Sequence, residues 1–191
     1  MALNAMRRLF LLSSLLGAAL TSQAHRLDEY LQAAQVVIEP AHVRLQLVLE
    51  PGVEVAAQVL KHIDRDSNQT ISRTEAAAYG GAVQRDLALR LDGQPLQLKL
   101  EIFEFDTPAE LRNGSGIIRL VFSAAFTASQ SGAHQLVLEN RHLNAISVYL
   151  FNAMQPDLPA VRIARQQRNE TQSVGTIDFV LPSPRQSRAG G

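Results

Sequence analysis

Two early runs of this chain are strand-like, and in the second, around one apolar Val48, apolar residues recur at every second position. Val36, Val37 and Ile38 lead into Glu39-Pro40-Ala41-His42, and Val43, Leu45, Leu47 and Leu49 then alternate with Arg44, Gln46 and Glu50. Alternation of this kind marks a half-buried strand, and proline in second place marks a turn, so the two runs predict a hairpin beginning near Tyr30. Pro51-Gly52 ends it. Val53, Ala56, Ala57, Leu60 and Ile63 follow at helical spacing, and beyond a polar gap Ala76, Tyr79, Val83 and Leu87 give a second helical stripe with Gly80-Gly81 inside it. Near Leu87 the period returns to two. Leu87, Leu89 and Leu91, then Asp92-Gly93, then Leu96, Leu98, Leu100 and Ile102 predict a second hairpin about an Asp-Gly turn.

The remainder reads as strand and turn. Residues 106–116 form a polar connection with room for one helical turn. Strands are expected over 117–126, 135–139, 146–151, 161–163 and 174–181, with a polar link over 166–172. Short strands punctuated by Gly and Pro predict an α+β chain, a mainly antiparallel β-sandwich-like domain carrying an inserted helix-loop-helix.

Residues 1–24 carry the features of a secretory signal peptide: Arg7-Arg8, an apolar run from Leu9 to Leu20, and Ser22-Gln23-Ala24 as a small-residue cleavage site. The expected organisation is therefore a signal peptide over 1–24, one domain over 25–182 with the helix-loop-helix at 53–89, and a disordered tail over 183–191. The apolar run is too short to span a membrane. Lys plus Arg and Asp plus Glu are equal at 18 each. Removing Arg7 and Arg8 with the leader leaves 16 basic against 18 acidic residues. That balance argues against a nucleic-acid partner. No cysteine is present, which excludes disulfides, thiolate metal sites and cysteine nucleophiles.

The polar gap between the helical stripes carries the chemistry. Asp64-Arg65-Asp66-Ser67-Asn68-Gln69-Thr70-Ile71-Ser72-Arg73-Thr74-Glu75 resembles the calcium loop of an EF-hand. The resemblance implies side-chain oxygens from Asp64, Asp66 and Asn68, the Thr70 carbonyl, a water-mediated contact at Ser72 and two oxygens from Glu75, all suited to a hard Ca²⁺ ion. Ile71 would turn inward. Ser72-Arg-Thr-Glu75 is also a capping box, so the residues closing the site would start the second helix. Gln69 stands where EF-hands have glycine, and a left-handed backbone there costs roughly 1 kcal/mol or more. With Lys61, Arg65 and Arg73 weakening the negative field, the expected affinity is on the order of 10⁻⁴–10⁻³ M. The competing reading is a loop closed by hydrogen bonds alone.

Ala24-His25-Arg26-Leu27 after the leader, a strand pair, a helix entering an aspartate-rich loop and Asn140-Arg141-His142 also resemble a known bacterial domain. It is the extracytoplasmic amino-terminal domain of nickel/cobalt transporters of the hydrogenase- and urease-accessory type. That resemblance implies a free-standing periplasmic relative beside a membrane metal transporter or another envelope protein. His25, as a new amino terminus, would offer an amine and an imidazole to nickel, cobalt or copper. The histidine of Asn140-Arg141-His142 is expected to be solvated or bonded to a carbonyl. Glu101, Glu104 and Asp106 read as a solvated acidic edge, and Gly114-Ser115-Gly116 lacks the strand-to-helix context of a nucleophile elbow. The sequence reading is an exported, non-enzymatic calcium-binding domain.

Overall fold

A computed structural model describes residues 27–127, 131–155 and 161–181. The signal peptide expected over 1–24, His25 and the tail expected over 183–191 lie outside those residues. The described chain is mostly strand, arranged in two five-stranded sheets with three helices.

The first hairpin pairs β1 (Tyr30–Ile38) with β2 (His42–Pro51) antiparallel, Tyr30 opposite Pro51 and Ile38 opposite Val43. α1 (Val53–Ile63) and α2 (Arg73–Asp86) follow, and then β3 (Leu87–Leu91) and β4 (Gln94–Leu96) turn about Asp92-Gly93, both with positive φ. β5 (Lys99–Phe105), α3 (Pro108–Arg112), β6 (Ile118–Ala125), β7 (Gly132–Asn140), β8 (Ser147–Met154), β9 (Arg162–Arg168) and β10 (Val174–Leu181) complete the described chain. One sheet runs β5-β6-β2-β1-β8 and the other β4-β3-β7-β10-β9. All pairings are antiparallel except β1 with β8, where Tyr30 lies opposite Ser147.

Both sheets feed one apolar core. Tyr30, Val36, Leu45, Leu47, Leu120 and Phe122 enter from the first, and Leu89, Leu136, Leu138, Ile177 and Phe179 from the second. The helices close an end of it. α1 buries Val55, Ala56, Val59, Leu60 and Ile63, so its buried stripe is rotated from the expected one: Val53 and Ala57 are exposed. α2 passes unbroken through Gly80-Gly81. A Cβ on Gly80 would lie 2.6 Å from Leu100 Cδ2, so glycine lets the helix approach β5 closely.

Three further expectations change. The run from Leu96 to Ile102 is two strands, because Gln97-Leu98 carries the chain from one sheet to the other. The expected alternation also ends early, because β5 shifts register against β6 between Leu100 and Ile102, leaving Ile102 exposed and turning Phe103 and Phe105 toward the core. Gln84 Nε2 donates to the Leu98 carbonyl at 2.9 Å and satisfies the crossing. The second change is at 166–168, which continue β9 as an edge strand. There Gln166 Oε1 accepts from the Ala153 amide at 2.6 Å, and Arg168 Nε donates to the Phe151 carbonyl at 2.6 Å. These side chains occupy the free edge of β8, which would otherwise be open to pairing. The third concerns His142.

Candidate metal centre

The loop between α1 and α2 is built by its own polar side chains. α1 ends at Asp64, whose amide donates to the Leu60 carbonyl at 2.8 Å. The Asp64 carboxylate accepts from the Asn68 and Gln69 amides, each at 3.0 Å, and folds the chain back over it. Asp66 Oδ1 accepts from the Asn68 amide at 3.1 Å, and Asn68 Oδ1 accepts from the Thr70 amide at 2.8 Å and from the Thr70 hydroxyl. Gln69 has φ 66° and Ser67 φ 60°. The left-handed backbone anticipated at Gln69 is present, and the one at Ser67 was not legible from the sequence.

Glu75 closes the loop. Its Oε1 accepts from the Arg65 amide at 2.8 Å, and its Oε2 accepts from the Ser72 amide at 3.0 Å and the Ser72 hydroxyl at 2.7 Å. Ser72 Oγ accepts from the Glu75 amide in return, completing the capping box. The Ser72 hydroxyl and amide, then the Arg65 amide, hold the Glu75 carboxyl down to about 2, so it is an anion across the physiological range. Ile71 packs against the core, and the Arg73 guanidinium lies 5.3 Å from the centre of the Phe103 ring, pinning the start of α2 to β5.

One oxygen from each of Asp64, Asp66 and Glu75 lies within 4.8 Å of the others. A cation held at 2.3–2.6 Å from several oxygens needs them no more than about 5 Å apart, which this trio meets. Each carboxylate has about four acceptor positions, so the internal hydrogen bonds leave lone pairs for an ion. Asn68 stands within the same turn, and Thr70 follows at the position whose carbonyl an EF-hand uses. Among the described residues this is the one group of three or more acidic or histidine side chains close enough to share an ion.

Three of the described histidines have carboxylate partners. His42 pairs with Glu39 at 3.0 Å and His134 with Asp92 at 2.7 Å. His142, expected to be solvated or bonded to a carbonyl, is 3 % exposed and bonded through its ring to a carboxylate and a phenol. Its Nδ1 meets Asp86 Oδ2 at 2.7 Å and its Nε2 meets the Tyr79 hydroxyl at 3.0 Å, while Tyr79 meets the Tyr30 hydroxyl at 2.8 Å. With Nδ1 donating to the carboxylate, Nε2 accepts from Tyr79 and Tyr79 accepts from Tyr30. Burial lowers the His142 pKa against the opposing pull of Asp86, and burial raises Tyr30 and Tyr79. The imidazole is neutral and the phenols protonated.

Behind it, Gln32 Nε2 donates to the His142 carbonyl at 2.9 Å, Gln32 Oε1 accepts from Asn140 Nδ2 at 2.9 Å, and Asn140 Oδ1 accepts from the His142 amide at 3.0 Å. Tyr149 donates to the same carbonyl at 3.1 Å. Among the described residues, no fully buried side-chain polar atom is left without a partner. Gln32 occupies an inward position of β1 among apolar residues, and that parity was a readable signal for the network. No protein-family model matches the chain, and no curated protein matches it in sequence.

Proposed function

We propose that α1, the loop and α2 form an EF-hand unit inserted in a β-sandwich-like domain, and that the chain is an exported calcium-binding protein acting outside the cytoplasm. The observation that carries this is the convergence of Asp64, Asp66 and Glu75 oxygens within 4.8 Å, in a loop whose sixth residue, Gln69, is left-handed. Asp64, Asp66, Asn68, Thr70 and Glu75 would hold the ion. All the donors are oxygen, which suits Ca²⁺ over copper or nickel. Its role is structural. The loop joins a helix that buries five side chains to one that ends in the Asp86–His142 pair, so an ion there would stiffen the connection between them. At tenfold excess over Kd, binding to the folded state alone adds about 1.4 kcal/mol of stability.

The proposed activity is binding; the buried Asp86–His142–Tyr79–Tyr30 chain serves the fold by tying α2 to both sheets. A transition-metal role beside a membrane transporter would rest on His25. Of the described histidines, His42, His134 and His142 each have a carboxylate partner, and His62 lines the same groove as His142.

Calorimetry on the chain beginning at His25 tests the reading. One Ca²⁺ site is expected, in the 10⁻⁴–10⁻³ M range typical of extracellular modules. Glu75→Gln should weaken it at least tenfold by removing the bidentate charge. Equal heats for the two proteins would refute calcium binding at this loop. Ca²⁺ should also raise Tm, while Ni²⁺ or Cu²⁺ at the same concentration should not; the reverse order would favour the transition-metal role.

A further inference from the structure

The groove between the end of α1 and the outer face of α2 encloses a cavity of about 410 Å³. Lys61, His62 and Arg65 line one side and Arg85 the other, with the buried Tyr79 and His142 also reaching its wall. Asp86 is the one carboxylate among the lining residues, and it is engaged by His142 Nδ1 at 2.7 Å. Lys61, Arg65 and Arg85 enter no ion pair among the described residues. Three basic side chains therefore line a concave space that has one carboxylate, itself committed to His142, among its lining residues.

Like charges gathered around a concavity raise its potential and attract counter-ions, and a guanidinium fork matches the paired oxygens of a carboxylate or phosphate. The volume falls within the roughly 300–1,000 Å³ of small-molecule sites. We propose that this cavity binds a small dianion bearing carboxylate or phosphate oxygens, held by Lys61, Arg65 and Arg85. The floor suits the task because it is fixed: His142 is held by Asp86, Tyr79 and, through its main chain, Asn140 and Gln32, so little order would be lost on binding.

The test is calorimetric titration of the chain beginning at His25, in calcium-free buffer of low ionic strength, with inorganic phosphate and separately with succinate. Saturable one-to-one binding of at least one probe is expected, and which of them binds assigns the oxygens to phosphate or carboxylate. Lys61→Gln with Arg85→Gln should weaken it at least tenfold, while Arg85→Lys, which keeps the charge but loses the fork, should weaken it less. Both side chains are exposed, so the variants should keep the parent Tm. Arg162→Gln, on the exposed edge strand β9 and outside the cavity, should bind like the parent. No saturable heat with either probe, an unaffected double variant, or an equal loss in Arg162→Gln would overturn the proposal.

Discussion

His142 Nδ1 and Asp86 Oδ2 lie 2.7 Å apart although 56 residues separate them in the chain. Asp86 is the last residue of α2 and His142 follows β7, so this contact fastens α2 to the second sheet. Tyr79, about two turns before Asp86 on the same helix, carries the connection on to Tyr30 of the first sheet through a 2.8 Å hydroxyl pair. Helix and both sheets therefore meet in one buried polar chain.

Tyr79→Phe should be costly out of proportion to the single oxygen removed. It leaves His142 Nε2 without its donor and the Tyr30 hydroxyl without its acceptor, both buried, and each orphaned group costs about 1–3 kcal/mol. Urea denaturation checks this. A loss below about 0.5 kcal/mol would mean that the hydroxyl is not holding the network.

Stability should decline in mild acid because of His142. Burial is the largest influence on its pKa and sets it below the ordinary 6.5. In the unfolded chain the imidazole takes up a proton that the folded one refuses, so its contribution is complete above about pH 6.5 and is lost as pH falls through the folded pKa. An NMR titration should place the His142 midpoint below that of a solvated histidine. A midpoint at or above 6.5 would contradict the sign.

Gln69→Gly should stabilise the ion-free protein by up to about 1 kcal/mol, since φ 66° strains glutamine and not glycine. The greater backbone freedom of glycine in the unfolded chain offsets part of this. Calcium affinity should rise with the strain relieved. Affinity that falls or stays level would remove the account of the sixth position.

Gly175→Ala probes where β10 passes β8. A Cβ there would lie 2.3–2.4 Å from ring atoms of Phe151, which is itself buried in the core. The ring must move or the strands separate, and overpacking of this kind costs about 1–3 kcal/mol. Thermal unfolding that matches the parent would show that the ring relocates freely.

Export predicts a defined amino terminus. Mass spectrometry of the secreted protein should find His25 first, because Ser22 and Ala24 satisfy the small-residue rule at the cleavage site. A product retaining Met1 would contradict the leader.

Sequence by itself determined whatever is encoded within a few neighbouring residues. Alternation from Val43 to Leu49 specified a strand, Asp92-Gly93 a hairpin, Ser72 and Glu75 a capping box, and the order Asp64, Asp66, Glu75 a cluster of carboxylate oxygens, because each depends on spacing along a short stretch of backbone. Only the tertiary structure decided that Leu96 and Leu100 belong to different sheets, that Val53 faces outward while Val55 and Val59 face the core, and that His142 is buried. Those outcomes depend on which distant segments become neighbours. His142 finds its partners 56 and 63 residues away, and Gln32 finds the His142 carbonyl across 110. The cationic cavity has the same origin: Lys61 and Arg85 come to one groove because two helices pack, and no local pattern records that packing.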